Sequence, residues 1–377
     1  MYSVKQSPRA WFERFAKVLI TNGYEQSQGD HTLFTKHSAW EGVTTLLVYV
    51  DDIIVTRNDE ERDNLRMCLA REFKVKELSR LKYFLGNEVA QSKQGIFVSQ
   101  QKYVLDLLKE IGKLACKPTN MPIKPNHKLG DSNEDDIVDL GNYQSLVGPL
   151  IYLSHKRPDI AYVVSLVSQF MHNPKETHLQ AVHWILHYLK RTPRKGILFK
   201  KGTSLKLEAY TDVDYARSIV DRCSTLGYCT FLGGNLVTWR SKKQNVVERS
   251  SAKAEFRSMV LEIHELLWLK IILEDLKIKW EAPIRLYCDN KSAINIAHHP
   301  VQHNRTKHVE VDGHFIKEKL DNGLVCILHV STDGLLEDVL TKGLNNTRFR
   351  TIINKMEMYD IHSQAWGRVW ENKVFLF

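Results

Sequence analysis

No two of the chain's six cysteines (Cys68, Cys116, Cys223, Cys229, Cys288 and Cys326) form a CxxC pair. That scatter argues against a disulfide framework and suits reduced thiols in an intracellular compartment, cytoplasmic or nuclear. No apolar run approaches transmembrane length, and the N-terminus lacks the apolar stretch of a signal peptide. A soluble chain with no membrane partner is therefore expected. Internal repeats and low-complexity tracts are also missing. What is present, 43% hydrophobic and 26% charged residues, is the composition of a globular protein. Its 377 residues suffice for two or three domains. The formal charge of +9 favours a polyanionic partner.

The run Leu46-Leu47-Val48-Tyr49-Val50-Asp51-Asp52-Ile53-Ile54-Val55 sets two adjacent carboxylates inside an apolar stretch. Its β-branched and aromatic residues predict strand, tight turn, strand. A polar turn tip would account for Asp51 and Asp52. So would a divalent-metal site for phosphoryl chemistry, because a buried carboxylate needs cations or donors and Mg²⁺ takes hard oxygen ligands.

Periodicity predicts helices over Phe12 to Ile20, Asp59 to Glu72 and Tyr103 to Ile111, and a short strand at Gly95 to Ser99. Lys117 to Asp139, with three prolines and an acidic run, reads as a linker. Helices are expected at Tyr143 to His155, Ile160 to Met171 and Glu176 to Lys190, their apolar stripes serving as core. From Leu205 the pattern changes. Strands are expected at Leu205 to Asp212, Thr225 to Leu232 and Leu236 to Arg240, then a long helix from Ala252 to Leu276. A strand at Ile284 to Asp289, helices near Ser292 to Ala297 and Val311 to Leu320, a strand at Val325 to Val330 and a helix from Leu335 follow.

Several motifs stand in one order along the chain: Lys5-Gln6-Ser7-Pro8-Arg9-Ala10-Trp11, the Asp51-Asp52 hairpin, Leu81-Lys82-Tyr83-Phe84-Leu85-Gly86, Tyr143-Gln144-Ser145-Leu146-Val147-Gly148 and Arg157-Pro158-Asp159-Ile160-Ala161. Beyond them come Tyr210-Thr211-Asp212, Ser250 to Glu255, Leu286 to Ala293, Arg305-Thr306-Lys307-His308 and Asp338 to Lys342. Together these resemble the Pol polyprotein of copia-type LTR retrotransposons. The resemblance implies an α+β / α/β fold class. A truncated reverse transcriptase palm/thumb region would occupy 1–128, and a linker with connection helices 129–202. A ribonuclease H-like domain with a mixed five-stranded sheet would occupy 203–345, and a C-terminal tail 346–377.

Ribonuclease H chemistry is an in-line attack by water on an RNA phosphodiester, with two divalent ions about 4 Å apart clamping the attacking and leaving oxygens. The family's pattern puts carboxylates on the first strand, near the start of the long helix, at the end of the fourth strand and on the last helix. The matching residues are Asp212, Glu255, Asp289 and Asp338. The resemblance thus implies Mg²⁺ (or Mn²⁺), an RNA–DNA hybrid as substrate, and other Pol or Gag-derived element proteins as partners. Each acid also has an ordinary use: Asp212 in a turn, Glu255 in a helix's first turn, Asp289 as an N-cap. Asp214 lies on the same strand face as Asp212. His298, His299, His303, His308 and His314 straddle a loop and a helix with no ligand-spaced cysteine, which argues against zinc. His329, inside a strand, reads as a core histidine. Lys190, Arg191, Arg194, Lys195, Lys200, Lys201, Arg240, Lys242 and Lys243 are candidate phosphate contacts.

In the palm, Asp51 and Asp52 would hold metal with a third carboxylate from an earlier strand. That strand and the fingers would lie upstream of Lys5, and the chain begins at Met1, so no polymerase activity is expected of it alone. Departures from the family pattern include Arg57 for a turn glycine, Asn87 for an apolar residue, Pro149 inside an expected helix, Lys253 for a glutamate and Glu337 for a small residue. Val213, Tyr215 and Arg217 are further departures. The expectation is hybrid cleavage by the ribonuclease H part; the alternative is a degenerate relic that binds nucleic acid without cleaving it.

Overall fold

Alternate side chains of an extended chain face one way, so Leu46 and Val48 share one face of their strand, as do Ile53 and Val55 of theirs. The structure, a computed structural model, forms that hairpin from strands Gly42–Tyr49 and Asp52–Thr56, with Val48 opposite Ile53 and Tyr49 opposite Asp52. It describes residues 8–38, 42–50, 52–56, 59–73, 79–125, 127, 129, 138–202, 204–216, 221–299, 307–331, 334–360 and 375–376. Two units are distinguished. The first comprises Met1–Phe84, Leu267–Lys279 and Trp370–Phe377, and the second Leu85–Leu266 and Trp280–Val369.

In the first unit, Leu46, Val48, Ile53 and Val55 form the buried side of the hairpin. Phe15 and Leu19 from helix Pro8–Thr21, Phe34 from strand Leu33–Ser38, and Leu65 and Leu69 from helix Asp59–Glu72 close over them. Each such side chain contributes roughly 1.5–3 kcal/mol by leaving water. Arg57 lies outside the described residues.

The second unit begins its helical layer with α1 (Leu140–Ser154), α2 (Pro158–Ser168) and α3 (Glu176–Arg191). Asp139 caps α1 by accepting from the Asn142 N–H at 2.5 Å. Buried residues recur at helical spacing: Tyr143, Leu146, Val147, Leu150 and Leu153 on α1, then Val182, Ile185, Leu186 and Leu189 on α3. Pro149, expected to interrupt this region, sits inside a continuous α1. The helix tolerates it because the bond it deletes would have gone to the carbonyl of Ser145, on the exposed face within reach of water. At Gly86 the chain takes φ +72°, and an added Cβ would stand 3.0 Å from the Tyr152 hydroxyl. That hydroxyl donates to the Leu85 carbonyl.

A buried ion pair ties these helices together. Arg157 forks onto Asp159, with Nε–Oδ1 at 2.9 Å and Nη2–Oδ2 at 2.8 Å. Tyr188 on α3 donates to Asp159 Oδ2 at 2.6 Å, and the guanidinium also donates to the Thr192 carbonyl and hydroxyl. The Arg157-Pro158-Asp159 motif is thereby a structural clamp: the proline starts α2 and its flanking charges satisfy each other.

The principal sheet follows. Strands β1 (Lys206–Asp214), β2 (Thr225–Leu232) and β3 (Asn235–Lys243) form an antiparallel meander. Helix α4 (Ser251–Asp275) leads to β4 (Glu281–Cys288), parallel to β1. After α5 (Lys291–His298) and α6 (Lys307–Asp321), β5 (Val325–His329) lies parallel to β4. The strand order is β3-β2-β1-β4-β5. The chain then makes a short helix α7 (Asp338–Thr341) and α8 (Asn346–Lys355). An antiparallel sheet of Asn87–Gln91, Gly95–Ser99, Lys195–Lys200 and Met358–Asp360 also belongs to this unit.

Two details place the later elements. Gly227 on β2 is paired across from Asp212 on β1. A Cβ there would meet Thr341 Cγ2 at 2.6 Å and Leu340 Cβ at 2.9 Å, so α7 seats on the sheet only because position 227 has no side chain. Between α4 and the sheet, Thr230 donates to the fully buried Glu262 at 2.7 Å, and Glu262 Oε2 has no hydrogen-bond partner among the described residues. Burial pushes the Glu262 carboxyl up to about 8.

Two stability predictions arise here. Asp159→Asn strands the buried Arg157 charge and is expected to lower unfolding free energy by about 3–5 kcal/mol in urea titrations. A loss below about 1 kcal/mol would show that the pair is no clamp. The Glu262 carboxyl stays protonated in the folded chain to about pH 8, whereas the unfolded one ionises near its ordinary value of 4.5. The unfolded state therefore binds fewer protons between these limits, so this group's contribution falls as pH rises from about 4.5 to 8 and then levels. Glu262→Gln removes the titration, and its stability relative to wild type should rise by a few kcal/mol across that window. A pH-independent difference would refute the assignment.

Candidate active site

Parallel pairing of β1 with β4 runs to Tyr210 opposite Tyr287. Two residues further along the chain stand Asp212, on β1, and Asp289, directly after β4, so both carboxylates emerge toward the C-terminal ends of neighbouring strands. Such ends are where open parallel sheets bind ligands. Glu255, in the opening turns of α4, reaches the same place because its Oε1 accepts the Val213 N–H at 3.1 Å. Asn290, directly after Asp289, caps α5 by accepting from the Ala293 N–H at 3.0 Å.

These acids converge. Asp212, Glu255 and Asp289 each offer an oxygen within 4.8 Å of the others', and no histidine joins such a group among the described residues. Asp212 and Glu255 are buried, Asp289 half-buried. Glu255 Oε2 has no hydrogen-bond partner among the described residues. Burial, reinforced by the Asp212 and Asp289 charges, pushes the Glu255 carboxyl well above the usual range.

Asp338, expected as the fourth acid, is not part of that trio; it stands at the start of α7 and is 1% exposed. Its neighbours are cations: Lys342 Nζ lies 2.6 Å from Oδ1, and Arg348 Nη2 pairs with Oδ2. Lys342 Nζ also stands 3.3 Å from Asp212 Oδ2, which accepts from the Thr341 hydroxyl at 2.5 Å. Burial opposes charge on Lys342, but the Asp212 and Asp338 carboxylates outweigh it and hold its ammonium above the ordinary value. Glu337 is fully buried beside them, with neither carboxylate oxygen hydrogen-bonded by a described side chain. Its carboxyl is pushed well up by burial and by Asp212.

Sequence reasoning missed Lys342, Thr341 and Arg348 as parts of this cluster. The signal was there for Lys342, four residues after Asp338 and so on the same face of a helical turn. His329, read as a core residue, is exposed at the end of β5, where it pairs across from Cys288 beside Asp289. The strand ends at that edge, so its last side chain meets solvent. Of the expected phosphate contacts, Lys200 pairs with Glu357 at 2.6 Å and Lys243 with Asp221 at 2.7 Å. Lys195 stands over the Tyr188 ring, its Nζ 3.2 Å from the hydroxyl, and burial pushes its ammonium down to about 8.

The second candidate is the hairpin in the other unit. Asp52 is half-buried at the start of its strand. Val50, before it, is 70% exposed with φ +52°, a conformation that a β-branched residue adopts at a cost of about 1–3 kcal/mol. Asp51, His303 and Arg305 lie outside the described residues.

Comparison with known proteins gives the affiliation. Residues 1–125 match the family model described as reverse transcriptase (RNA-dependent DNA polymerase). The chain is 41% identical, over 94% of its length, to the retrovirus-related Pol polyprotein from transposon RE1 of Arabidopsis thaliana, of which it spans 24%. It is 32% identical over 68% of its length to a putative transposon Ty5-1 protein of Saccharomyces cerevisiae, covering 84% of that protein. Among solved structures, a foamy viral protease-reverse transcriptase in complex with RNA/DNA hybrid aligns with 88% of this chain and 39% of its own, at 12% identity and a TM-score of 0.47. With its motifs matched in order and its identity extending over nearly all of its length, the chain belongs to the copia-type retrotransposon Pol polyprotein family.

Proposed function

We propose that the second unit carries a ribonuclease H-like domain that hydrolyses RNA in RNA–DNA hybrids with Mg²⁺ or Mn²⁺. The observation that carries this reading is the convergence of Asp212, Glu255 and Asp289 from three separate elements. Strand order β3-β2-β1-β4-β5, with its antiparallel meander followed by two parallel strands, supports it. Three hard oxygen donors, one with the unpartnered Glu255 Oε2, suit a divalent cation. Asp212, Glu255 and Asp289 are the proposed ligands; Asp338, the fourth acid expected of the site, is held by Lys342 and Arg348.

When bound, such ions supply charge for the phosphate oxygens and a water of lowered pKa. The chain's own groups set the geometry. The Val213 N–H fixes Glu255 against β1, and the Thr341 hydroxyl orients Asp212. Asn290 anchors the turn after Asp289. Half-burial leaves Asp289 the acid of the trio most open to an incoming strand. Mechanistically, the trio orients the cation and the phosphate edge, while the exposed His329 at the same sheet edge is available for proton transfer. The net charge of +9 favours retention of a nucleic acid.

The reading is tested with purified chain and a labelled RNA–DNA hybrid. Cleavage of the RNA strand is expected with Mg²⁺, none with chelator, and a loss of about 100-fold or more in Asp289→Asn. Cleavage that survives this substitution would place the chemistry elsewhere. Absence of cleavage with retained hybrid binding would identify the inactive relic instead.

A further inference from the structure

Both oxygens of Asp338 are already engaged by cations, Lys342 on Oδ1 at 2.6 Å and Arg348 on Oδ2. The same Lys342 Nζ lies 3.3 Å from Asp212 Oδ2. One ammonium thus spans the gap between the first-strand and last-helix carboxylates. Its position is fixed by short-range structure: Lys342 follows Asp338 by four residues and is the C-cap of α7, and its side chain is 25% exposed. Asp212 also belongs to the trio with Glu255 and Asp289, whose oxygens lie within 4.8 Å of one another, and Glu255 Oε2 lacks a donor among the described residues. A divalent ion at the trio would share Asp212 with Lys342 but leave the Lys342 and Arg348 pairs with Asp338 in place. A second ion between Asp212 and Asp338 would have to enter where a positive charge already sits, and like charges at that range repel strongly in a half-buried site.

We infer that Lys342 is a built-in cation occupying the place of a second divalent ion, so that this site takes up one metal ion rather than two. The inference rests on the nuclease reading above. Lys342 then does two things. It cancels the repulsion between Asp212 and Asp338 when no metal is bound, and it presents fixed positive charge to the phosphate edge without being exchangeable. Arg348 completes the neutralisation of Asp338. Replacing Lys342 by an uncharged side chain leaves two facing carboxylates, which is the ligand set a hard cation selects.

Mn²⁺ binding counted by electron paramagnetic resonance of the free ion, on the full chain, tests this. Wild type and Lys342→Arg should bind one Mn²⁺ and Lys342→Gln two, and Mn²⁺ should raise the thermal midpoint of Lys342→Gln more than that of wild type. Lys342→Met, which keeps the volume of the stem, serves as a second neutral variant if Lys342→Gln does not fold without metal. Two ions in wild type, or a single ion in folded neutral variants, overturns the role of Lys342. Asp289→Asn separates this from the underlying reading. If wild type binds no Mn²⁺, or binds it equally well without Asp289, the nuclease site itself is misassigned and the inference falls with it.

Discussion

Carboxylates crowded at one edge of a sheet repel one another, and that repulsion shapes everything around them. Burial raises the stakes, since a poorly solvated charge must be paired, neutralised by a proton or bound to a metal. All three answers are present within a few residues. Asp338 is paired to Lys342 and Arg348, Glu255 and Glu337 are driven toward their neutral forms, and the trio of Asp212, Glu255 and Asp289 brings three oxygens within 4.8 Å, the grouping proposed above to take a cation. Removing any one answer would leave the others to absorb the charge.

The same logic operates at the Arg157–Asp159 pair. There a carboxylate and a guanidinium, each almost fully buried, satisfy one another along with Tyr188 and Thr192. Both motifs stand out in the sequence as charged residues amid apolar ones. What separates them is whether the chain supplies complete partners. Asp159 has its cation and hydroxyl, whereas Glu255 keeps an oxygen with no donor among the described residues.

Much of this was legible in the amino-acid order. The β-branched and aromatic run gave away the hairpin at Leu46 to Val55, and a change of periodicity past Leu205 gave the strands that lead to Asp212 and Asp289, while helical spacing gave α1 to α4, because those patterns are direct images of burial. The acids stood out through the family resemblance and ordered motifs. The cations did not, because a lysine and an arginine near a chain's end look like any solvated pair until α7 and α8 are folded beside β1. Pro149 misled for a related reason: its cost depends on whether the carbonyl it orphans can reach water, and Ser145 is exposed. His329 misled because a strand's final residue can lie past the point where the core ends.

Gly227 carries a quieter consequence. It contributes no polar atom, yet it faces Asp212 across the ladder, and its bare Cα is what admits Leu340 and Thr341 to the sheet. A lineage that drifted to a larger residue there would keep its full complement of acids while losing the fit that unites them. An inventory of acidic positions would then declare such a copy intact. In this architecture a missing methyl group holds the acidic cluster together as surely as the carboxylates define it.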